Sequence, residues 1–322
     1  MKIIFAGTPD VAATTLRALL GSQHQVVAVL TRPDAPVGRK RVITASPVAQ
    51  LAEQVGLPVI KAKKVSADVV ESLRMYQPDL GVIVAYGSLL DTTALDLPHK
   101  GWLNLHFSLL PRWRGAAPVQ RAILNGDIET GVTIFKLDAG MDTGPILASV
   151  PTVIEANESS SDLLVRLGEL ANSLLLQELP LVEAGLDKYR DQVIGSEEPV
   201  AHKLNRAEAR ISWLLEAPAI ERRVKAFNPE PVAYTSLAGE PFRVIDAVAL
   251  GATDWSALGS ESADLHAPGA VRMAGKRVLV EAGSGTLLEL KQVQPAGKKV
   301  MAALDWARGA GESVRFDLGT DE

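Results

Sequence analysis

Short apolar runs alternate with stretches of helical spacing over the first half of the chain. Lys2-Ile3-Ile4-Phe5-Ala6 predicts a strand that runs into Gly7-Thr8-Pro9-Asp10. Thr8 is the expected N-cap of the helix that follows, with Pro9 at its first position. Leu16, Leu19 and Leu20 fall on that helix, and Gly21 is its expected stop. Gln25 to Thr31 predicts a β-branched second strand. Ser46-Pro47 opens a second helix that Gly56 ends, Pro58-Val59-Ile60 is a third strand and Asp79 to Ala85 a fourth. Further strands are predicted at Trp102 to Phe107, Thr130 to Lys136 and Ile146 to Ile154. Ser159 to Asp162 then caps a long helix with Leu163, Leu164, Leu167, Leu170, Leu174 and Leu175 on one face. Pro180 is expected to end or kink it, because proline lacks the N–H a helix interior uses. Strand–helix alternation of this kind predicts an α/β fold, a parallel sheet with helices on both faces.

The pattern stops near Tyr189. Residues 191–206 are polar and turn-rich and read as a linker between a first domain at 1–190 and a second at 207–322. In the second, a short helix from Pro218 to Phe227 precedes runs at Val232 to Leu237, Phe242 to Leu250, Gly269 to Met273, Arg277 to Ala282 and Thr286 to Val293. Short strands punctuated by Gly and Pro predict a small antiparallel barrel. Gly251 to His266 is rich in Ser, Asp and Ala and reads as a surface loop.

Length agrees with this division, since 322 residues at about 150 per domain make roughly two domains. The chain is 47% hydrophobic and 22% charged, which excludes a disordered or collagen-like polymer. It has no cysteine, so disulfides, thiolate metal sites and a cysteine nucleophile are excluded. Apolar runs such as Leu80 to Ala85 fall far short of the roughly 20 residues of a membrane span. The first residues form a strand without the features of a signal peptide, which makes the expected location cytoplasmic. The net charge is −5, so any nucleic-acid contact must rest on local basic patches. His24, His99, His106, His202 and His266 are scattered without ligand-like spacing, and no metal is expected.

The richest chemistry lies in Asn104-Leu105-His106-Phe107-Ser108-Leu109-Leu110-Pro111-Arg112-Trp113-Arg114-Gly115. On a strand, Asn104 and His106 point to the same face. In an open parallel sheet, ligands gather at the carboxyl ends of strands. There an amide suits a developing oxyanion and an imidazole suits proton exchange near neutral pH. A half-buried Asn and His satisfied by backbone would look the same. Asp142, bracketed by Gly140 and Gly144 in a turn between two strands, is placed to orient and charge-stabilise His106; a turn Asp bonding its own backbone is the alternative. Gly7-Thr8-Pro9-Asp10 lacks the G-x-G-x-x-G of dinucleotide binding, and no P-loop occurs. Thr31 to Arg41 is a loop with Arg32, Arg39, Lys40 and Arg41 against Asp34, suited to phosphate or simply solvated.

Taken together, these segments resemble the methionyl-tRNA formyltransferase family. The resemblance runs from Phe5-Ala6-Gly7-Thr8-Pro9 to Gln294-Pro295-Ala296-Gly297-Lys298-Lys299, and includes Thr31 to Asp34, Asn104 to Gly115, Gly131 to Leu147 and Ala207 to Trp213. Asn-x-His-x-Ser-Leu-Leu-Pro with a downstream Asp-x-Gly is the pattern of folate-dependent formyltransferases. The resemblance implies a Rossmann-like catalytic domain followed by a smaller OB-like barrel that helps to hold tRNA. It implies transfer of a formyl group from 10-formyltetrahydrofolate to the α-amino group of methionyl-tRNA, for translation initiation; a monomer is expected because no extra apolar stripe in the sequence asks for a partner. Asn104 and protonated His106 would stabilise the oxyanion, and Asp142 would hold His106 charged and oriented. Ser108, Leu109, Leu110 and Pro111 would line the folate site, and Arg39, Lys40 and Arg41 would contact the tRNA acceptor end. This chain departs from the family at Phe107, where Ala is frequent, at Ser212, where Asp is usual, and in the Gly-Arg-Lys-Arg of the basic loop. Two other readings share some of these residues: a sugar or glycinamide-ribonucleotide formyltransferase, and an RNA-binding module on an inactive formyltransferase fold.

Overall fold

The structure, a computed structural model, describes residues 1–38, 40–251, 267–311 and 314–319. Arg39 and most of the expected surface loop, 252–266 with its acidic stretch and His266, lie outside the described residues. The chain divides into two compact units, one of residues 1–118, 129–153 and 164–202, the other of residues 119–128, 154–163 and 203–322.

The first unit is built on a seven-stranded mixed sheet. Its strands are β1 (Lys2–Gly7), β2 (Gln25–Thr31), β5 (Val59–Lys61), β6 (Leu80–Val84), β7 (Trp102–His106), β9 (Glu129–Lys136) and β10 (Ile146–Val153). Two short strands, β3 (Ala35–Val37) and β4 (Val42–Thr44), form a separate antiparallel hairpin. The sheet order is β10-β9-β7-β6-β1-β2-β5. β7, β6, β1, β2 and β5 pair in parallel, whereas β9 and β10 pair antiparallel at one edge. The expected parallel sheet is therefore parallel through its centre and antiparallel at that edge. The order reverses beside β1, whose chain continues to β2 on one side while β6 lies on the other, and such a switch point opens a crevice at the strand carboxyl ends. The central strands are buried on both faces, which explains runs such as Leu80–Val84 with every residue buried.

Two sequence expectations are corrected here. The first helix, α1 (Asp10–Leu20), is capped by Pro9 rather than Thr8. The Thr8 hydroxyl donates instead to the Tyr86 carbonyl at 2.9 Å, across to the segment after β6. The long helix, Ser160–Ala184, runs through Pro180 without ending there. Pro180 is exposed and close to the helix end, where one missing hydrogen bond faces water.

The second unit holds the helix Ala217–Phe227 and an antiparallel sheet with strands at Tyr234–Leu237, Glu240–Ala249, Leu287–Pro295, Arg277–Glu281 and Val271–Ala274, in that spatial order. Residues 314–318 bond to both edges: the Val271 N–H donates to Val314, the Phe316 N–H to Gly269 and the Asp317 N–H to Ser236, at 2.9 Å each. The sheet is thereby bridged into the expected small barrel. Its core gathers Trp213, Phe242, Trp306 and Phe316, with ring centroids 4.7–5.7 Å apart. Each such pair contributes about 0.5–1.5 kcal/mol beyond area burial.

Candidate active site

β7, the neighbour of β6 in the parallel part of the sheet, carries both Asn104 and His106 toward its carboxyl end. Strand alternation sets them on one face, while Leu103 and Leu105 on the other are fully buried. Asn104 is half-buried, and its side-chain amide makes no hydrogen bond to another described residue. His106 is buried, with the Phe135 ring edge-on at 6.3 Å.

The imidazole has two polar neighbours. Nε2 lies 2.9 Å from the Trp113 carbonyl oxygen. A carbonyl only accepts, so Nε2 carries the proton. Nδ1 faces the Asp142 carboxylate at 3.7 Å, longer than a hydrogen bond. That carboxylate oxygen already accepts the Gly115 N–H at 2.8 Å. In the neutral ring, Nδ1 is therefore a lone pair beside an anion, and a proton taken up there has a counter-charge waiting. Burial nonetheless dominates: it pushes the His106 pKa below its ordinary value against the opposing pull of Asp142 and, after it, of the Trp113 carbonyl. The protonated His106 expected from the sequence is thus not the resting state that burial favours. The ring is held toward its neutral form, ready to accept a proton.

Asp142 has a left-handed backbone, φ 55°, which L-residues adopt at a cost. The turn around it is pinned from several sides. The Asp138 carboxylate accepts the Gly140 N–H at 3.0 Å and the Thr143 hydroxyl at 2.8 Å. Gly144 is required, since a Cβ there would strike the Lys136 carbonyl. Gly115 is required too: with φ +119° its Cβ would stand 2.7 Å from the Ala201 carbonyl oxygen. The structure therefore brings His106 of β7 against Asp142 of the turn between β9 and β10.

The turn 108–111 is more occupied internally than its resemblance to a folate wall implied. The Ser108 hydroxyl donates to the Arg112 carbonyl at 2.7 Å, and Leu110 is buried against Phe135 and Ile146. Leu109 and Pro111 remain half-buried. Thr133, opposite His106 on β9, ties this turn down by donating to the Ser108 carbonyl at 2.7 Å and accepting the Leu110 N–H at 3.1 Å. The basic segment is a hairpin rather than a loop. Lys40 and Arg41 are exposed at its turn, and Val37, Val42 and Ile43 are exposed on its strands. Arg32 points elsewhere, donating to the Lys63 and Gly87 carbonyls at 3.0 Å.

Sequence reasoning missed Thr133, the Trp113 carbonyl, the Gly115 N–H and Gln192. For Thr133 the period of β9 carried a signal. For the backbone groups and Gln192 no sequence signal exists, because their roles arise only when distant segments meet.

A family model described as formyl transferase matches residues 1–179, and one described as formyl transferase, C-terminal domain, matches residues 203–311. The methionyl-tRNA formyltransferase of Renibacterium salmoninarum is 46% identical over 97% of each chain. That of Arthrobacter sp. (strain FB24) is 48% identical over 98% of this chain and 100% of its own. The chain belongs to the methionyl-tRNA formyltransferase family. Asn104, His106 and Asp142 of this formyltransferase all fall within the segment that the N-terminal family model matches. Among solved structures, the N-formyltransferase of Helicobacter canadensis, crystallised with folinic acid and dTDP-3-aminofucose, superposes with a TM-score of 0.65. It is 16% identical, covering 92% of this chain and 99% of its own, and shares the fold. Among the described residues no helix is long and apolar enough to cross a membrane, and no three His, Asp or Glu group as metal ligands.

Proposed function

We propose that the chain transfers the formyl group of 10-formyltetrahydrofolate to the α-amino group of methionyl-tRNA, for translation initiation. The observation that carries the reading is the buried His106–Asp142 pair at the carboxyl end of β7, beside an Asn104 amide that makes no hydrogen bond to another described residue. The full-length relatives, by their names, act on the same acceptor.

When bound, the folate supplies the formyl carbon and its own nitrogen as leaving group. Asn104 donates its amide N–H to the formyl oxygen as that atom gains charge, an interaction stronger in the transition state than before it. His106 receives, at Nδ1, the proton that the attacking amine sheds. The imidazolium then keeps Nε2–H on the Trp113 carbonyl and gains the Asp142 carboxylate at Nδ1, and it returns a proton to the leaving nitrogen. Asp142 thus favours the charged ring only when charge arrives. Leu109 and Pro111 offer the apolar edge of the turn 108–111 to the folate, with Ser108 and Leu110 shaping it from within. Arg39, together with Lys40 and Arg41 of the hairpin turn, meets the phosphates of the tRNA acceptor end. Residues 1–190 form the catalytic domain, 191–206 a connecting segment and 207–322 the OB-like tRNA-binding domain. The enzyme works as a cytoplasmic monomer and needs no metal.

The test is formyl transfer from 10-formyltetrahydrofolate to methionyl-tRNA, with uncharged tRNA and free methionine as controls. Transfer to the charged tRNA alone is the expected result. Release of tetrahydrofolate only with a sugar nucleotide or glycinamide ribonucleotide overturns the acceptor. No turnover with any acceptor overturns the enzyme.

A further inference from the structure

The segment that follows the long helix looks like a featureless tether in the sequence, yet two points along it are tied to the active site. The Gln192 side-chain amide donates to the Asp142 carbonyl at 2.9 Å and to the Gly144 carbonyl at 2.7 Å. Both bonds land on the backbone that carries the catalytic carboxylate. The Gln192 oxygen is buried and accepts no hydrogen bond from a described residue. Farther on, β11 (Val200–Ala201) pairs in parallel with β8 (Arg114–Gly115). The Trp113 N–H donates to the Pro199 carbonyl at 2.9 Å, and the Ala116 N–H to the Ala201 carbonyl at 2.7 Å. One strap, residues 192–201, therefore fastens both loops that touch His106: the Asp142 turn at Nδ1 and the Trp113–Gly115 turn at Nε2.

We infer that Gln192 is a positioning residue for formyl transfer, holding the Asp142 turn so that its carboxylate stays against His106. Gln192 touches neither the imidazole nor the Asp142 carboxylate, so its effect passes through the backbone. The other restraints act elsewhere. Asp138 grips the turn on both sides of Asp142, at the Gly140 N–H and the Thr143 hydroxyl, and the Gly115 N–H fixes the carboxylate itself. Among the described residues, only the Gln192 amide bonds the carbonyls of residues 142 and 144 from a side chain, and residue 142 is the one with the strained φ of 55°. A small displacement of a catalytic group is costly, since about 1 Å of misplacement lowers rates on the order of 10²-fold.

The inference rests on the function proposed above, and its test separates the two. The measurements are single-turnover formyl transfer and an NMR titration of the His106 ring in the full chain. The variants are Gln192→Met, which keeps the length without donors, Asp142→Asn and the double variant. Gln192→Met is expected to slow transfer by roughly 10- to 100-fold with an unchanged KM for methionyl-tRNA. In the Asp142→Asn background it is expected to cost almost nothing further, since two residues acting through one contact are not additive. The groups bearing on His106 are the Asp142 charge, the Trp113 carbonyl and the Phe135 ring. Loosening Asp142 therefore lowers the His106 titration toward its position in Asp142→Asn. Equal rate losses in both backgrounds, or a His106 titration that does not move, overturn the inference. If Gln192→Met does not fold, Gln192→Asn, which withdraws the amide by one methylene, is held to the same outcomes. A wild-type chain with no transfer activity overturns the proposed function, while the titration still reports whether Gln192 governs the contact.

Discussion

The two units bury ionisable side chains in different ways. In the second, Glu289 takes Arg277 at 2.8 Å and Lys291 at 2.6 Å, and Glu281 lies 3.7 Å from Arg272. In the first, His106 and Asp142 stand 3.7 Å apart, and each spends a hydrogen bond on backbone instead of on the other. Glu289 is saturated by its cations, an arrangement that serves packing and register. The His106–Asp142 pair is left incomplete, and a buried group with a shifted pKa beside a specific charge is a mark of chemistry. Burial alone does not separate them, because His106, Asp142, Glu281 and Glu289 are all largely shielded from water. What separates them is whether a proton has somewhere to go.

The contrast breaks most visibly at His106. His106→Ala is expected to lower formyl transfer by about 10²- to 10⁴-fold while the chain stays folded by circular dichroism. Near-normal turnover would remove the ring from the reaction. Asn104→Ala is expected to cost about 10²- to 10³-fold, read as a fall in kcat with little change in folate affinity. A milder loss marks the pH profile. Transfer by the wild type is expected to fall on the acid side with an inflection below the usual histidine pKa, because burial favours the neutral ring that accepts the proton. Asp142 opposes that shift, so Asp142→Asn moves the acid limb to still lower pH. A limb moving upward would contradict the assignment. The smallest effect is on the saturated side: Glu289→Gln is expected to cost about 1 kcal/mol of stability, given that Arg277 and Lys291 remain partly in water, and to leave kcat unchanged. A matching loss of rate would erase the distinction between the units.

The sequence made the sheet strands legible because β1 after Lys2, β2 between Gln25 and Thr31, and all of β6 are apolar, and it placed Asn104 and His106 on one face by period alone. It did not make the edge direction of β9 and β10 legible, since alternation does not encode which way a neighbour runs. The hairpin of Ala35–Val37 and Val42–Thr44 was hidden by Pro36, Gly38 and the charges of its turn, all of which read as loop. Thr8 fitted a cap by residue type, but a hydroxyl that reaches Tyr86 from another strand is a tertiary fact. Pro180 fitted a helix end, but its cost fell near the terminus and toward solvent. In the site, the side chains were legible and their restraints were not. The charge state of His106 follows from burial, and the Trp113 carbonyl and the Gly115 N–H belong to every residue type alike.

The strap also bears on how this molecule could be cut and recombined. A gene fragment ending where the helical pattern stops, near Tyr189, would discard Gln192 and β11 and release both loops beside His106. A piece meant to keep both loops against His106 therefore extends through His202, where the first compact unit ends. A graft made at that point would carry its own alignment with it, whatever acceptor-binding partner was joined behind. Residues 119–128 and 154–163 complicate such a graft, because they lie early in the chain yet group with the second unit. The division into two units therefore crosses the chain more than once.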